Sequence, residues 1–277
     1  MRDTAGALQQ LGPDIDWLVV DHYAIDAPWE TSLRPFATGI MVIDDLADRI
    51  HDCELLLDQN LYLEPEHRYR GKVGGGCRLL LGPRYALLRE EFSAGKKYLV
   101  KRTGSLGRIL VFFGGADPDN VTGKALDAIR SLQWADIQVD VIIGFNNPNR
   151  KAVEQKCSCM ENVTCHIQVT NMAEFMGKAD LALGGGGTTT WERCAMSLPA
   201  VVVSLALNQQ SIAEAVAATG AITYLGTSAE VVAEDIRDAL AELCSHPEKL
   251  QEQGRISGRL VDNQGTERVM AEMVNII

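Results

Sequence analysis

The sequence predicts an α/β protein with parallel sheets, organised as two units. Two observations lead there. Short apolar runs alternate with amphipathic stretches along almost the whole chain, the pattern of strand–helix–strand crossovers. A polar stretch over residues 92–106, carrying Gly95-Lys96-Lys97 and Lys101-Arg102-Thr103-Gly104, divides those runs into two series and reads as a linker. The expected domains are residues 1–95 and residues 104–277.

The first series opens with a helical pattern, Thr4–Leu11, stopped by Gly12-Pro13. Its strand candidates are Trp17–Asp21, Ile40–Asp44 and Leu55–Asp58, each ending in an acidic residue. In open parallel sheets the carboxyl ends of the strands face the ligand crevice. Those aspartates are equally placed to cap the helices that follow. The second series has six strand candidates: Ile109–Phe113, Val139–Gly144, Val163–Ile167, Leu181–Leu183, Ala200–Val203 and Ile222–Leu225. Helices are expected over Gly123–Ser131, Met172–Lys178, Thr190–Met196, Gln209–Thr219 and Ala229–Cys244. The first series has fewer strands and begins with a helix, whereas a doubly wound domain begins with a strand. It therefore reads as incomplete at its N-terminus.

Composition narrows the function. The 277 residues are 46% hydrophobic and 23% charged, so the chain has the means to bury a core. A net charge of −11 opposes binding to phosphate backbones, so no nucleic-acid partner is expected. No apolar run has the ~18 residues of a membrane span, and no signal-peptide core opens the chain. The seven cysteines show no zinc-like spacing; Cys157-Ser158-Cys159 is the tightest grouping. They read as reduced structural residues of a cytoplasmic protein without metal or cofactor.

The strongest chemical signal is Leu183-Gly184-Gly185-Gly186-Gly187-Thr188-Thr189-Thr190-Trp191-Glu192. Four glycines after a strand let backbone N–H groups approach a ligand. The threonines add hydroxyls, and the start of a helix favours negative charge, so the segment reads as a phosphate cradle. It is neither a P-loop nor a G-x-G-x-x-G turn. The same glycines suit close helix–sheet packing, and Glu192 stands three residues after Thr189, as in a capping box. Gly114-Gly115-Ala116-Asp117 follows another strand of the same series. Asn208-Gln209-Gln210 offers side-chain amides, or Asn208 as an N-cap. Asp21-His22-Tyr23 offers an acid–base cluster, or a buried, satisfied histidine.

In this order these segments resemble the UDP-2,4-diacetamido-2,4,6-trideoxy-β-L-altropyranose hydrolase family of pseudaminic acid biosynthesis, relatives of the GT-B glycosyltransferases. The matching residues are Val20-Asp21-His22-Tyr23, Asp44-Asp45, Asn60, residues 82–92 (Gly-Pro-Arg-Tyr-Ala-Leu-Leu-Arg-Glu-Glu-Phe), Gly114–Asp117, Ala179-Asp180-Leu181, Gly184–Glu192 and Asn208-Gln209. The resemblance implies two Rossmann-like domains facing a cleft, with UDP held mainly by the second. It implies metal-independent hydrolysis at the anomeric carbon. Glu192 matches the acid on the ribose hydroxyls. Gly115, Gly187, Thr188 and Thr189 match the loops around the diphosphate, and Arg89 is assigned to substrate. Tyr23 and Asn208 match positions beside the reacting sugar and are the catalytic candidates. The family opens with a strand and Gly-x-Gly-His-x-x-Arg, whose histidine is its base. That motif is absent, so the first domain is expected to lack roughly its first 55 residues. Two other readings stand beside hydrolysis. One is a glycosyltransferase of surface or spore-coat polysaccharide assembly, and the other a non-catalytic UDP-sugar binding protein. The sequence leaves the sugar and the oligomeric state open.

Overall fold

The computed structural model describes residues 2–11 and 15–276. The expected stop signal, Gly12-Pro13, lies outside the described residues. The chain folds as two α/β units, each built on a parallel sheet. Unit 1 comprises Met1–Leu87 with Gln264–Ile277, and unit 2 comprises Leu88–Asn263. Both boundaries differ from those expected at the linker.

Unit 1 carries β1 (Trp17–Val20), β2 (Gly39–Ile43), β3 (Leu55–Asp58) and β4 (Arg78–Leu81), in the order β1-β2-β3-β4. Alternation along the strands splits their side chains between two cores. Ile40, Val42 and Leu56 pack with Val20, Cys53 and Tyr69 on one face. Met41, Leu55, Leu57 and Leu80 pack on the other, against Val269. Val269 belongs to the C-terminal helix Gly265–Ile276, which explains why the last residues return to unit 1. Burying Val269 alone contributes ~1.5–3 kcal/mol. The helix is also tied by Arg268, whose guanidinium donates to the Arg84 carbonyl at 2.7 Å, and by the 2.7 Å Arg78–Glu272 ion pair.

Unit 2 carries β5 (Arg108–Phe112), β6 (Gln138–Ile143), β7 (Val163–Ile167), β8 (Leu181–Gly185), β9 (Ala200–Ser204) and β10 (Ile222–Thr227). Their order is β10-β9-β8-β5-β6-β7, the doubly wound order of a complete Rossmann sheet. The strand order reverses between the parallel neighbours β5 and β8, so the ligand crevice of this fold lies beyond the carboxyl ends of those two strands. Ile109, Val111, Val141, Leu183, Val201 and Val203 are buried under the flanking helices, which include Val121–Leu132 and Ala233–Ser245.

The stretch expected to be a linker is part of unit 2. It forms a helix over Glu90–Ala94 and a 3-10 turn over Gly95–Tyr98. Arg102 then anchors it. Its guanidinium donates to the carbonyls of Met176, Ala179 and Met196 at 2.8–2.9 Å, and to that of Ser197 at 3.2 Å. These carbonyls lie at or just beyond the ends of helices Met172–Lys178 and Thr189–Ala195, where intrahelical partners run out. Among the described residues no helix is long and apolar enough to cross a membrane.

Candidate functional site

The switch point of unit 2 gathers the glycine-bearing motifs. After β5 the chain turns through Gly114, at φ +84°, and the exposed Gly115. Asp117 is buried and accepts from the Val121 and Thr122 N–H groups at 2.9 and 2.8 Å, fixing the start of the next helix. Gly144, after β6, donates its N–H to the Gly115 carbonyl at 3.1 Å. The two turns touch so closely that a Cβ on Gly144 would lie 2.5 Å from that oxygen.

After β8 comes the four-glycine turn. The Cβ side of each glycine faces protein. At Gly184 a Cβ would meet Arg193 and the Phe112 carbonyl; at Gly185, Leu205; at Gly186, Gln209 and Ser204; at Gly187, Gln209. Close packing therefore accounts for the glycine spacing on that side of the chain. Gln209 also accepts from the Leu205 N–H at 2.9 Å, pinning the neighbouring turn after β9.

The helix after the glycines spans Thr189–Ala195, with Thr188 as N-cap and no side-chain cap bond. Glu192 therefore sits outside the capping frame that its spacing with Thr189 suggested. Its carboxylate is instead mostly buried and meets Arg89 at 3.2 Å. Burial pushes the Glu192 carboxyl above its usual range, and the Arg89 charge opposes that. Arg89 is 56% exposed and pairs with Glu91 at 2.6 Å as well, so a ligand hydroxyl could replace it at Glu192. Thr188 is exposed, and among the described residues its hydroxyl has no hydrogen-bond partner. Asn208 is not an N-cap either: the helix Leu207–Ala218 is preceded by Ala206. Its side chain is half-buried and has no partner among the described residues.

Arg193 was not singled out by the sequence. Its guanidinium is buried beneath the glycine turn and donates to the Gly185 carbonyl at 2.8 Å and the Thr190 hydroxyl at 3.0 Å. A buried arginine has no sequence signature apart from the glycine that makes room for it.

Unit 1 holds a second polar cluster, at the carboxyl ends of its strands. Tyr23 follows β1, Asp44-Asp45 follow β2, and Asp58 ends β3. Tyr23 is 61% exposed, with Asp45 as its main charged neighbour. Burial, then the Asp45 charge, raises its phenol. Asp58 is buried, accepting from the Asn60 N–H at 3.0 Å and the Tyr69 hydroxyl at 2.9 Å. Burial pushes its carboxyl up to about 6. His22 is exposed, with Nδ1 accepting from the Ala24 N–H at 3.0 Å; the expected buried histidine is instead His51. His51 Nδ1 lies 2.7 Å from Glu30 in a fully enclosed pair that 21 residues of separation hide from the sequence. All seven cysteines are free, and the sulfurs of Cys53 and Cys77 lie 3.6 Å apart.

Comparison with known proteins now adds to this geometry. The model of the glycosyltransferase family 28 C-terminal domain matches residues 109–269, more than half of the chain and most of unit 2. The chain belongs to this family. It is 30% identical over 208 residues to the spore coat polysaccharide biosynthesis protein SpsG of Bacillus subtilis, covering 74% of this chain. It spans about 60% of SpsG's length. It is 25% identical over 204 residues to the UDP-2,4-diacetamido-2,4,6-trideoxy-β-L-altropyranose hydrolase of Campylobacter jejuni, covering 73% of this chain and 71% of that protein. Among solved structures, MurG of Acinetobacter baumannii superposes with a TM-score of 0.67 at 13% identity, over 99% of this chain and 77% of MurG. S. aureus MnaA, solved with UDP, gives 0.69 at 14% identity, over 100% of this chain and 78% of MnaA. These likenesses show two α/β domains of the GT-B kind.

Proposed function

We propose that the chain acts on a UDP-linked diacetamido-trideoxy sugar and cleaves it at the anomeric carbon, releasing UDP and the free sugar. One observation carries the nucleotide part of this reading. The loops after β5 and β8 flank the switch point, and Thr188, Asn208 and the Arg89-held Glu192 sit on or beside the second of them with polar groups open to a ligand. Gly115, Gly187, Thr188 and Thr189 surround the diphosphate in this reading, Glu192 takes the ribose hydroxyls in place of Arg89, and Arg89 turns to the substrate. N–H and hydroxyl donors at the leaving diphosphate stabilise the charge that develops as the glycosidic bond breaks. From the family resemblance, Tyr23 and Asn208 are the residues proposed to act on the sugar and the attacking water. The likeness to the Campylobacter hydrolase supports hydrolysis.

Transfer to an acceptor hydroxyl is the second reading, favoured by the family 28 match and the likeness to SpsG. Incubating the chain with the diacetamido sugar nucleotide separates them. Hydrolysis gives UDP and free sugar without any acceptor, whereas transfer releases UDP only when an acceptor is added.

The ribose assignment has its own test. Glu192→Ala is expected to weaken UDP binding by ~1–3 kcal/mol in calorimetry, the cost of losing a charged hydrogen-bond partner. Unchanged affinity would remove Glu192 from the ribose.

A further inference from the structure

The reading of unit 2 as a UDP site leaves Arg193 without a role, although it is a buried charge beneath the site. We propose that Arg193 is a positioning residue for the diphosphate: it braces the glycine–threonine turn and supplies the buried positive charge that this turn presents to an anion. The inference rests on the UDP reading.

Three observations carry it. Arg193 is only 3% exposed, yet its hydrogen bonds all end on neutral oxygens. They are the Gly185 carbonyl at 2.8 Å and the hydroxyls of Thr190 at 3.0 Å and Thr189 at 3.4 Å. Among the described residues no carboxylate lies at ion-pair distance, because the adjacent Glu192 turns to Arg89 instead. Among the described residues its buried Nε has no hydrogen-bond partner.

A buried charge without a counter-charge is costly, and native folds usually pair it. Bracing three neutral acceptors requires donors but not a charge; a glutamine amide could meet some of them. The fold nevertheless makes room for the guanidinium. A Cβ on Gly184 would stand 2.7 Å from Nη1 and 3.0 Å from the Phe112 carbonyl, so β8 carries a glycine there. The free protein supplies no direct ion pair for that charge: Glu192 favours it only from beyond ion-pair distance, its carboxylate being held by Arg89. An anion on the turn supplies the missing partner. Because the partly exposed Thr189 accepts from Arg193, its own hydroxyl proton remains free to donate to a ligand, while the buried Thr190 holds the guanidinium from beneath. The guanidinium thus orients the donors as well as charging them, with no rearrangement needed when the ligand arrives.

The test compares UDP with uridine, which lacks the phosphates. Both are titrated into the full chain as wild type, Arg193→Met and Arg193→Lys, by calorimetry for UDP and ligand-observed NMR for uridine. Arg193→Met is expected to weaken UDP by about 10- to 100-fold while uridine stays within about twofold. Arg193→Lys, which restores the charge, is expected to hold UDP within about fivefold of wild type. Equal losses for both ligands in Arg193→Met would make Arg193 a purely structural brace and overturn the proposal. So would an Arg193→Lys protein as weak for UDP as Arg193→Met. If circular dichroism shows Arg193→Met unfolded, Arg193→Lys decides alone. UDP within about fivefold supports the charge, and UDP and uridine falling together contradicts it. A wild-type chain that bound neither ligand would refute the site reading and this inference with it. A wild-type chain that bound both, with a variant that weakened both alike, would refute only the role of Arg193.

Discussion

Gly144→Ala is expected to destabilise unit 2 and to remove most of its affinity for UDP. The added methyl would lie 2.5 Å from the Gly115 carbonyl oxygen, 2.8 Å from the Gly115 Cα and 2.9 Å from its carbonyl carbon. All three are backbone atoms, so no side chain can swing aside. Either the turn after β5 moves, or the 3.1 Å bond between the Gly144 N–H and the Gly115 carbonyl breaks. Overpacking of this kind costs about 1–3 kcal/mol. For a unit of this size that lowers the melting temperature by roughly 2–4 °C per kcal/mol. A displaced Gly115 also retracts one wall of the switch-point crevice, and misplacing a wall by about 1 Å is enough to cost ~100-fold in function. Thermal unfolding and UDP calorimetry on the variant check both halves. A Gly144→Ala protein that melted lower but bound UDP like wild type would dissociate the Gly115 turn from the ligand.

The second large effect concerns pH and unit 1. The Asp58 carboxyl has an ordinary value of 3.8, which burial raises to about 6 in the fold. The folded state therefore holds this proton more tightly than the unfolded chain does. The resulting stabilisation is complete below about pH 4 and is lost as pH rises through about 6. At pH 7 the ionised carboxylate sits buried at a cost of about 2–3 kcal/mol relative to pH 4. Asp58→Asn removes the titration. Relative to wild type, the variant is expected to gain about 2–3 kcal/mol between pH 4 and pH 7, offset at every pH by a weakened bond to Tyr69. Urea unfolding of both proteins at the two pH values measures that difference. Parallel pH profiles would show that Asp58 does not titrate in this range.

The strands were legible where an apolar run ends abruptly in polar residues. Leu55–Asp58 and Val163–Ile167 have the bounds expected for them. β4, Arg78–Leu81, was not among the strands named: it is four residues long, follows a run of three glycines, and lies at the sheet edge. Periodicity reports local structure and says nothing about which sheet a helix will cover. The return of Gly265–Ile276 to unit 1, through Val269 against Met41 and Leu55, was therefore out of reach. Arg102 shows the same limit in a charged segment. Lysine and arginine beside glycine read as solvated linker, whereas four carbonyls at and beyond two helix ends turn one arginine into an anchor.

In the candidate site, the motif positions were legible but their local roles were not. Glu192 and Asn208 both fitted caps by spacing, and neither caps a helix. A shift of one or two residues in the helix start decides that, and spacing does not resolve so small a shift. The glycine turn was visible as glycine. That Gly184 is needed for the Arg193 guanidinium requires the third dimension.

A crystal structure of the chain with UDP tests the central claim most directly. The account predicts the diphosphate between the turns at Gly114–Asp117 and Gly186–Thr189, with the ribose hydroxyls on Glu192 and Arg89 displaced from it. UDP bound elsewhere on unit 2, or a saturated crystal with those turns empty, would contradict it.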